Sequence, residues 1–174
     1  MRILNFLLIF VSLSCFAQKI EWTEGYKLTP SDFGGKNPNI QTEKAAGSMI
    51  SLEYRVLSTS IWTGKIKVKI FPTFDRETSW IQQEYISDYL LNHEQKHFDI
   101  AKIYADKLQK IVDENIKTTE DFNENFQRLY NDIYDEYYAF QLTYDLETNH
   151  GLNIAKQKDY DLKISELLKN CNNK

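Results

Sequence analysis

The sequence predicts an α+β fold, with a small antiparallel sheet in the N-terminal half packed on a three-helix layer. Two hydrophobic periods carry that prediction. Before residue 78 the apolar residues alternate: Ile50, Leu52, Tyr54 and Val56 oppose Ser51, Glu53 and Arg55, and then Ile66, Val68 and Ile70 oppose Lys65, Lys67 and Lys69. After Ser79 they recur every three, four or seven residues, the spacing of a buried helix face. The composition fits a folded domain: of 174 residues 42% are apolar and 26% charged, enough for one sizeable core.

Residues 1–17 read as a secretory signal. Arg2 is followed by an apolar run from Ile3 to Phe16, and Cys15-Phe16-Ala17 places small residues at −3 and −1, so cleavage is expected after Ala17. The product is expected to be secreted or periplasmic. A lipid anchor on Cys15 is the less favoured alternative, because Ser12-Leu13-Ser14 is a poor lead-in. The remaining residues, 18–174, read as one domain, strand-rich over 18–77 and helical over 79–174. Within them Cys171 is the only cysteine, so an internal disulfide is not expected.

Ile20–Thr23 reads as a short strand. Thr29-Pro30-Ser31-Asp32 is a capped turn with proline at the first helical position, and residues 34–39 form a loop. The two alternating stretches, with Thr63-Gly64 before the second, predict an antiparallel pair. The lysines on one face of Lys65–Phe71 suggest solvent there, and an edge strand that could take up an extended peptide by strand addition. Ser79 with Gln82 has the form of a capping box, and the first helix is expected from there to about Ile116 through Ile86, Leu90, His97, Ala101, Tyr104, Leu108 and Ile111. Thr118-Thr119 opens a second helix with the stripe Phe122, Phe126, Leu129, Ile133, Tyr137, Phe140 and Tyr144, stopped near His150-Gly151. A third helix is expected between about Ile154 and Leu168.

The formal charge of −4, without a basic patch, argues against a nucleic-acid partner, and no stretch is fitted to be a transmembrane segment. The chemistry is concentrated in His93-Glu94-Gln95-Lys96-His97, an HExxH pattern using two of the three histidines. Four residues apart on a helix, both imidazoles can reach one metal ion, and Glu94 lies beside it as a base. The competing reading is two surface histidines in ordinary polar positions. The flanking apolar residues Leu90, Leu91, Phe98 and Ile100 favour the metal. One catalytic Zn2+ is expected, which takes three protein ligands.

The third ligand is open. Ile100 and Ile103 stand where a metzincin needs glycine and histidine, and Asp99 points away from His97 at 100° per residue. Glu120 and Glu124 match a gluzincin spacing only approximately. In a straight antiparallel hairpin a position near 138 comes level with His97, which favours Glu136, on the inward stripe. His150 is the other candidate and requires the chain to fold back.

The octapeptide from His93 to Ile100, together with Tyr144-Asp145-x-x-Thr148-x-His150-Gly151, resembles the DUF922 family of bacterial domains of unknown function, described as predicted secreted zinc-dependent proteases. Trp22, Asp32-Phe33-Gly34 and Ser79-Trp80 extend the resemblance over most of the chain after the signal. It implies His93 and His97 as ligands, Glu94 as catalytic base and His150 as third ligand. The family's later Gln and aromatic correspond to Gln157 and Tyr160, where a Trp is more usual.

The expected function is therefore that of an exported zinc metallopeptidase, acting on a peptide or protein substrate through a zinc-activated water with Glu94 as base. Alternatives are a zinc amidase or other hydrolase of cell-envelope material, and a zinc-stabilised binding module without turnover. Tyr144 is either an oxyanion donor or the last member of the core stripe. Asp145 either orients a ligand histidine from the second shell or caps the helix.

Overall fold

The computed structural model describes residues 18–38 and 44–172, so the signal-sequence reading of residues 1–17 lies outside the described residues. The elements are β1 (Lys19–Glu21), β2 (Ala46–Gly47), β3 (Ile50–Thr59), β4 (Ile66–Asp75), β5 (Trp80–Ile81), α1 (Asp88–Asn115), α2 (Thr119–Thr148) and α3 (Ile154–Asn172), with single 3-10 turns at Pro30–Asp32 and Gln83–Tyr85. Three helices and a three-stranded antiparallel sheet of order β1-β4-β3 make the α+β arrangement expected; β2 and β5 form a second, two-stranded pair.

Strand β4 runs five residues beyond the alternating stretch, through Phe71-Pro72-Thr73-Phe74-Asp75. Proline discourages such an extension, yet Pro72 stands opposite Leu52 with its carbonyl turned outward to accept from Trp22 N at 3.2 Å. Its missing N–H therefore falls on the side away from β3 and costs the β3–β4 ladder nothing. The edge expected along Lys65–Phe71 is not available. β4 is the middle strand, and where β1 does not reach, Gln109 of α1 covers it, accepting from Ile70 N at 2.7 Å and donating to Val68 O at 3.1 Å.

The first long helix starts later than Ser79. Residues 79–87 hold β5 and a 3-10 turn, and Ser87 is the true cap, accepting from Leu90 N at 3.1 Å. Ser79 is fully buried and its hydroxyl accepts from Met49 N at 2.9 Å, so a long-range contact replaces the local cap. The second helix begins as read: the Thr118 hydroxyl accepts from Asp121 N at 3.1 Å, and the Asp121 carboxylate accepts from Thr118 N at 2.8 Å.

Helix α1 is the spine. It packs on β4 and β3 on one side and on α2 and α3 on the other. Ile100, Ala101, Ala105, Leu108 and Val112 join the core shared by the sheet and the helices, while Phe98 enters a smaller cluster with Leu28, Phe33 and Phe74. The N-terminal segment is fastened beneath α1 by polar groups too. Gln95 accepts from Leu28 N at 2.8 Å, and Asp99 accepts from Trp22 Nε1, Gln95 Nε2 and Lys96 Nζ at 3.0, 2.9 and 3.1 Å.

Candidate metal centre

His93 and His97 lie in the first half of α1, one turn apart on the side that meets α2, and their Nε2 atoms are 3.3 Å apart. Asp145, near the end of α2, brings Oδ1 to 3.0 Å from His97 Nε2 and 3.3 Å from His93 Nε2. Oδ1 is buried, and although both nitrogens approach it, no contact meets hydrogen-bond geometry. Three donor atoms thus converge on one point with an orphaned carboxylate oxygen among them. Tetrahedral zinc with bonds of about 2.0–2.1 Å separates neighbouring ligand atoms by about 3.3–3.4 Å. Both the spacing and the two-imidazole, one-carboxylate donor set fit that ion.

The far side of each imidazole is also built. His97 Nδ1 faces Gln141 Oε1 at 2.5 Å, and Gln141 Nε2 donates to the His97 carbonyl at 2.9 Å. His93 Nδ1 faces Gln157 Oε1 at 3.0 Å, while Gln157 Nε2 donates to Asp161 at 2.9 Å and to the Tyr144 hydroxyl at 2.8 Å. Each glutamine amide has its NH2 committed to an acceptor, so its oxygen must face the ring and draw the imidazole proton to Nδ1. Both Nε2 lone pairs then point at the convergence point.

The charges there act on one another. Burial pulls the His97 pKa down, but the Asp145 contact and the Glu94 charge outweigh it and hold it above the ordinary 6.5. Burial would raise Asp145, and its contacts with His93 and His97 reverse that, holding it well below the usual carboxylate range. Glu94, also buried, accepts from Ser48 Oγ at 2.5 Å. The loop bearing Ser48 is held in turn by Ser79 and Trp80: Ser79 takes Met49 N, and the Trp80 indole lies against Gly47, where a Cβ would come within 2.8 Å of Nε1. The Ser-Trp pair thus sits behind the glutamate's partner.

The remaining sequence-predicted residues are placed as follows. Glu136 is not at the centre; it lies lower on α2 and pairs with Lys107. His150 stands one step out, 53% exposed, with Nδ1 3.3 Å from the other oxygen of Asp145. Asn149, His150 and Gly151 all have positive φ, and this left-handed turn folds the chain back onto α1. A Cβ on Gly151 would lie 3.2 Å from the His93 ring, and the Gly151 carbonyl accepts from the Tyr89 hydroxyl. The glycine of the His-Gly pair is therefore required both by its φ and by the imidazole beside it.

Tyr144 is fully buried with its ring stacked on His93, centroids 4.9 Å apart. Its hydroxyl lies 2.8 Å from His93 Nδ1, behind the ring from the convergence point, so this geometry is that of a core residue that positions His93 and not of an oxyanion donor. Burial pushes its pKa well above the ordinary 10, which keeps it a neutral hydrogen-bonding group. Gln141 and Ser48 carried no recognisable signal in the sequence; Gln157 did, through the resemblance.

No curated protein and no solved structure matches the chain significantly. Residues 70–151, which run from the middle of β4 to the glycine against His93, match the model of the family described as bacterial protein of unknown function (DUF922), the family that the sequence motifs resemble.

Proposed function

We propose that this chain is an exported zinc-dependent hydrolase of peptide bonds, with His93, His97 and Asp145 holding one zinc ion and Glu94 serving as base. The observation that carries this reading is the meeting of two Nε2 atoms with the orphaned Asp145 Oδ1 at the spacing of a zinc ligand set. A zinc ion bound there would supply Lewis-acid polarisation of a carbonyl and acidification of water.

The chain's own groups supply the rest. Glu94 follows His93 directly, and its charge acts on His97, so its carboxylate borders the centre. Held by Ser48, it can take a proton from an attacking water and deliver it to the leaving amine. Gln141 and Gln157 keep both imidazoles in the tautomer that offers Nε2. Tyr144 packs beneath the two rings and excludes water from that side. His150 holds the outer oxygen of Asp145, which exchanges the roles expected for those two residues.

The test is a zinc titration followed by assays on a peptide library and, separately, on peptidoglycan fragments. One zinc per chain with cleavage of library peptides supports the reading. Release of envelope fragments alone would favour the amidase. Stoichiometric zinc with no turnover on either would favour the binding module, and protein that stays metal-free would end the zinc reading.

A further inference from the structure

The turn between β3 and β4 carries two large apolar side chains with almost no cover: Ile61 is 90% exposed and Trp62 91%. A tryptophan so exposed is unusual in a folded chain. The turn is nonetheless well braced. Ser60 N donates to Lys65 O at 2.8 Å, Gly64 N to Ser60 O at 2.8 Å and Thr63 N to Ser60 Oγ at 3.2 Å. Two further bonds, Ile66 N to Lys117 O at 3.1 Å and Thr119 N to Gly64 O at 2.9 Å, tie it to the α1–α2 connection. The apolar pair is held out by a fixed turn.

The charge of this hairpin is opposite to that of the whole chain. Between Glu53 and Asp75 stand Arg55, Lys65, Lys67 and Lys69 and no acidic residue, in a protein of formal charge −4. Lys69 is paired with Glu21, and Arg55 lies over the Phe71 ring. Lys65, just before β4, and Lys67 within it are the two nearest the tip; both are exposed, and in extended chain two residues apart they face the same side.

We propose that the β3–β4 tip is an interfacial anchor that inserts Ile61 and Trp62 into an anionic lipid surface, with Lys65 and Lys67 at the level of the headgroups. Size favours lipid over a protein partner. Ile61 and Trp62 offer at most roughly 400 Å², and even with the half-exposed Val56 and Leu57 of β3 the apolar patch falls short of the roughly 800 Å² that a stable protein interface needs from each side. A lipid interface needs no matching surface, and tryptophan with nearby lysine suits it. The tip lies beside the C-terminal end of α1, about 27 Å along that helix from His97. An anchored molecule would therefore leave the metal centre away from the membrane. The inference does not depend on the zinc reading.

The experiment is co-sedimentation of the purified protein with vesicles of phosphatidylcholine alone and of equal parts phosphatidylcholine and phosphatidylglycerol, with tryptophan emission recorded alongside. The protein is expected to partition onto the anionic vesicles in preference to the neutral ones, with a blue shift that is absent in Trp62→Phe. The double variant Ile61→Ser/Trp62→Ser should lower partitioning at least about tenfold while leaving circular dichroism unchanged. Lys65→Glu/Lys67→Glu should abolish the preference for anionic vesicles. Failure of the unaltered protein to bind either vesicle, including the case in which it captures an acidic protein instead, overturns the proposal. So does binding that the serine variant leaves undiminished, or an anionic preference that survives the glutamate variant.

Discussion

Asp145 and His97 meet across the α1–α2 interface, with Oδ1 of the aspartate 3.0 Å from Nε2 of the histidine and neither atom otherwise engaged except with His93. His150, 3.3 Å from the opposite oxygen of the same carboxylate, acts at one remove. Asp145→Ala should therefore weaken zinc binding by more than about 100-fold, and His150→Ala by no more than about tenfold, as for an outer-shell partner. Gln157→Ala should fall between, because it removes one of the two oxygens facing Nδ1 of His93 and leaves the Tyr144 hydroxyl. Competition against a chromophoric chelator measures all three, and a larger loss at His150 than at Asp145 would make the histidine the third ligand.

Gly151 tests how closely the His-Gly turn is fitted to the centre. Gly151→Ala forces a side chain into a left-handed conformation and against the His93 ring. Gly25→Ala meets the same backbone penalty, at φ +80, with nothing within 4 Å, and should cost about 1–2 kcal/mol. Gly151→Ala should cost more and also lower zinc affinity. Urea denaturation of both variants gives the comparison; equal losses would mean that His93 gives way freely.

The pair Lys96–Asp99, side chains only 8% and 4% exposed, belongs to the helix that bears the histidines, with Asp99 turned to Trp22 of the N-terminal segment. Asp99→Ala would leave the Lys96 ammonium, the Trp22 indole N–H and a Gln95 amide proton without their acceptor, and should destabilise by about 3–5 kcal/mol. Lys96→Met combined with Asp99→Leu should recover a large part of that loss, because the uncompensated charge is gone. A double variant no more stable than Asp99→Ala would contradict this.

Acid–base behaviour of the metal-free protein follows from the two opposed shifts at the centre. The lowered Asp145 value contributes stability above the unfolded carboxyl pKa near 3.8, which is lost as pH falls through the folded value. The raised His97 value contributes stability below 6.5, which is lost as pH rises through the folded value. Together they act most strongly between about 3.8 and 6.5. With chelator present, the urea midpoint should decline as pH rises past this window, and saturating zinc should remove the decline. A chelated profile that rises through neutrality would contradict the assigned contact.

The parts of this fold that were legible in the sequence are those fixed by local chemistry. The i, i+4 spacing of His93 and His97 and the Thr118–Asp121 box depend only on residues a turn apart. Three features escaped because they depend on distant partners. Ser79 and Gln82 spell a capping box, but the Ser79 hydroxyl is claimed by a backbone N–H thirty residues earlier. Pro72 looks like a strand end until its outward carbonyl is seen to serve Trp22. The level of α2 against α1 depends on how the chain turns at Ile116–Thr118. That turn sets Gln141, not a residue near 138, beside His97, which carries Glu136 down to Lys107 and brings Asp145 up to the histidines. The histidine pair was thus readable from one helix, while the carboxylate that meets it was a property of the packing between two.

The most direct measurement of the central claim compares the native protein with Glu94→Gln for zinc content and for cleavage of a peptide library, side by side. Glutamine keeps the size of the side chain and can still accept from Ser48, so the variant should bind one zinc per chain with unchanged affinity. It should lose cleavage by a factor of at least about 100, the low end of what a positioned general base contributes. A variant that holds its zinc and cleaves as fast as the native protein would show that Glu94 is not the base.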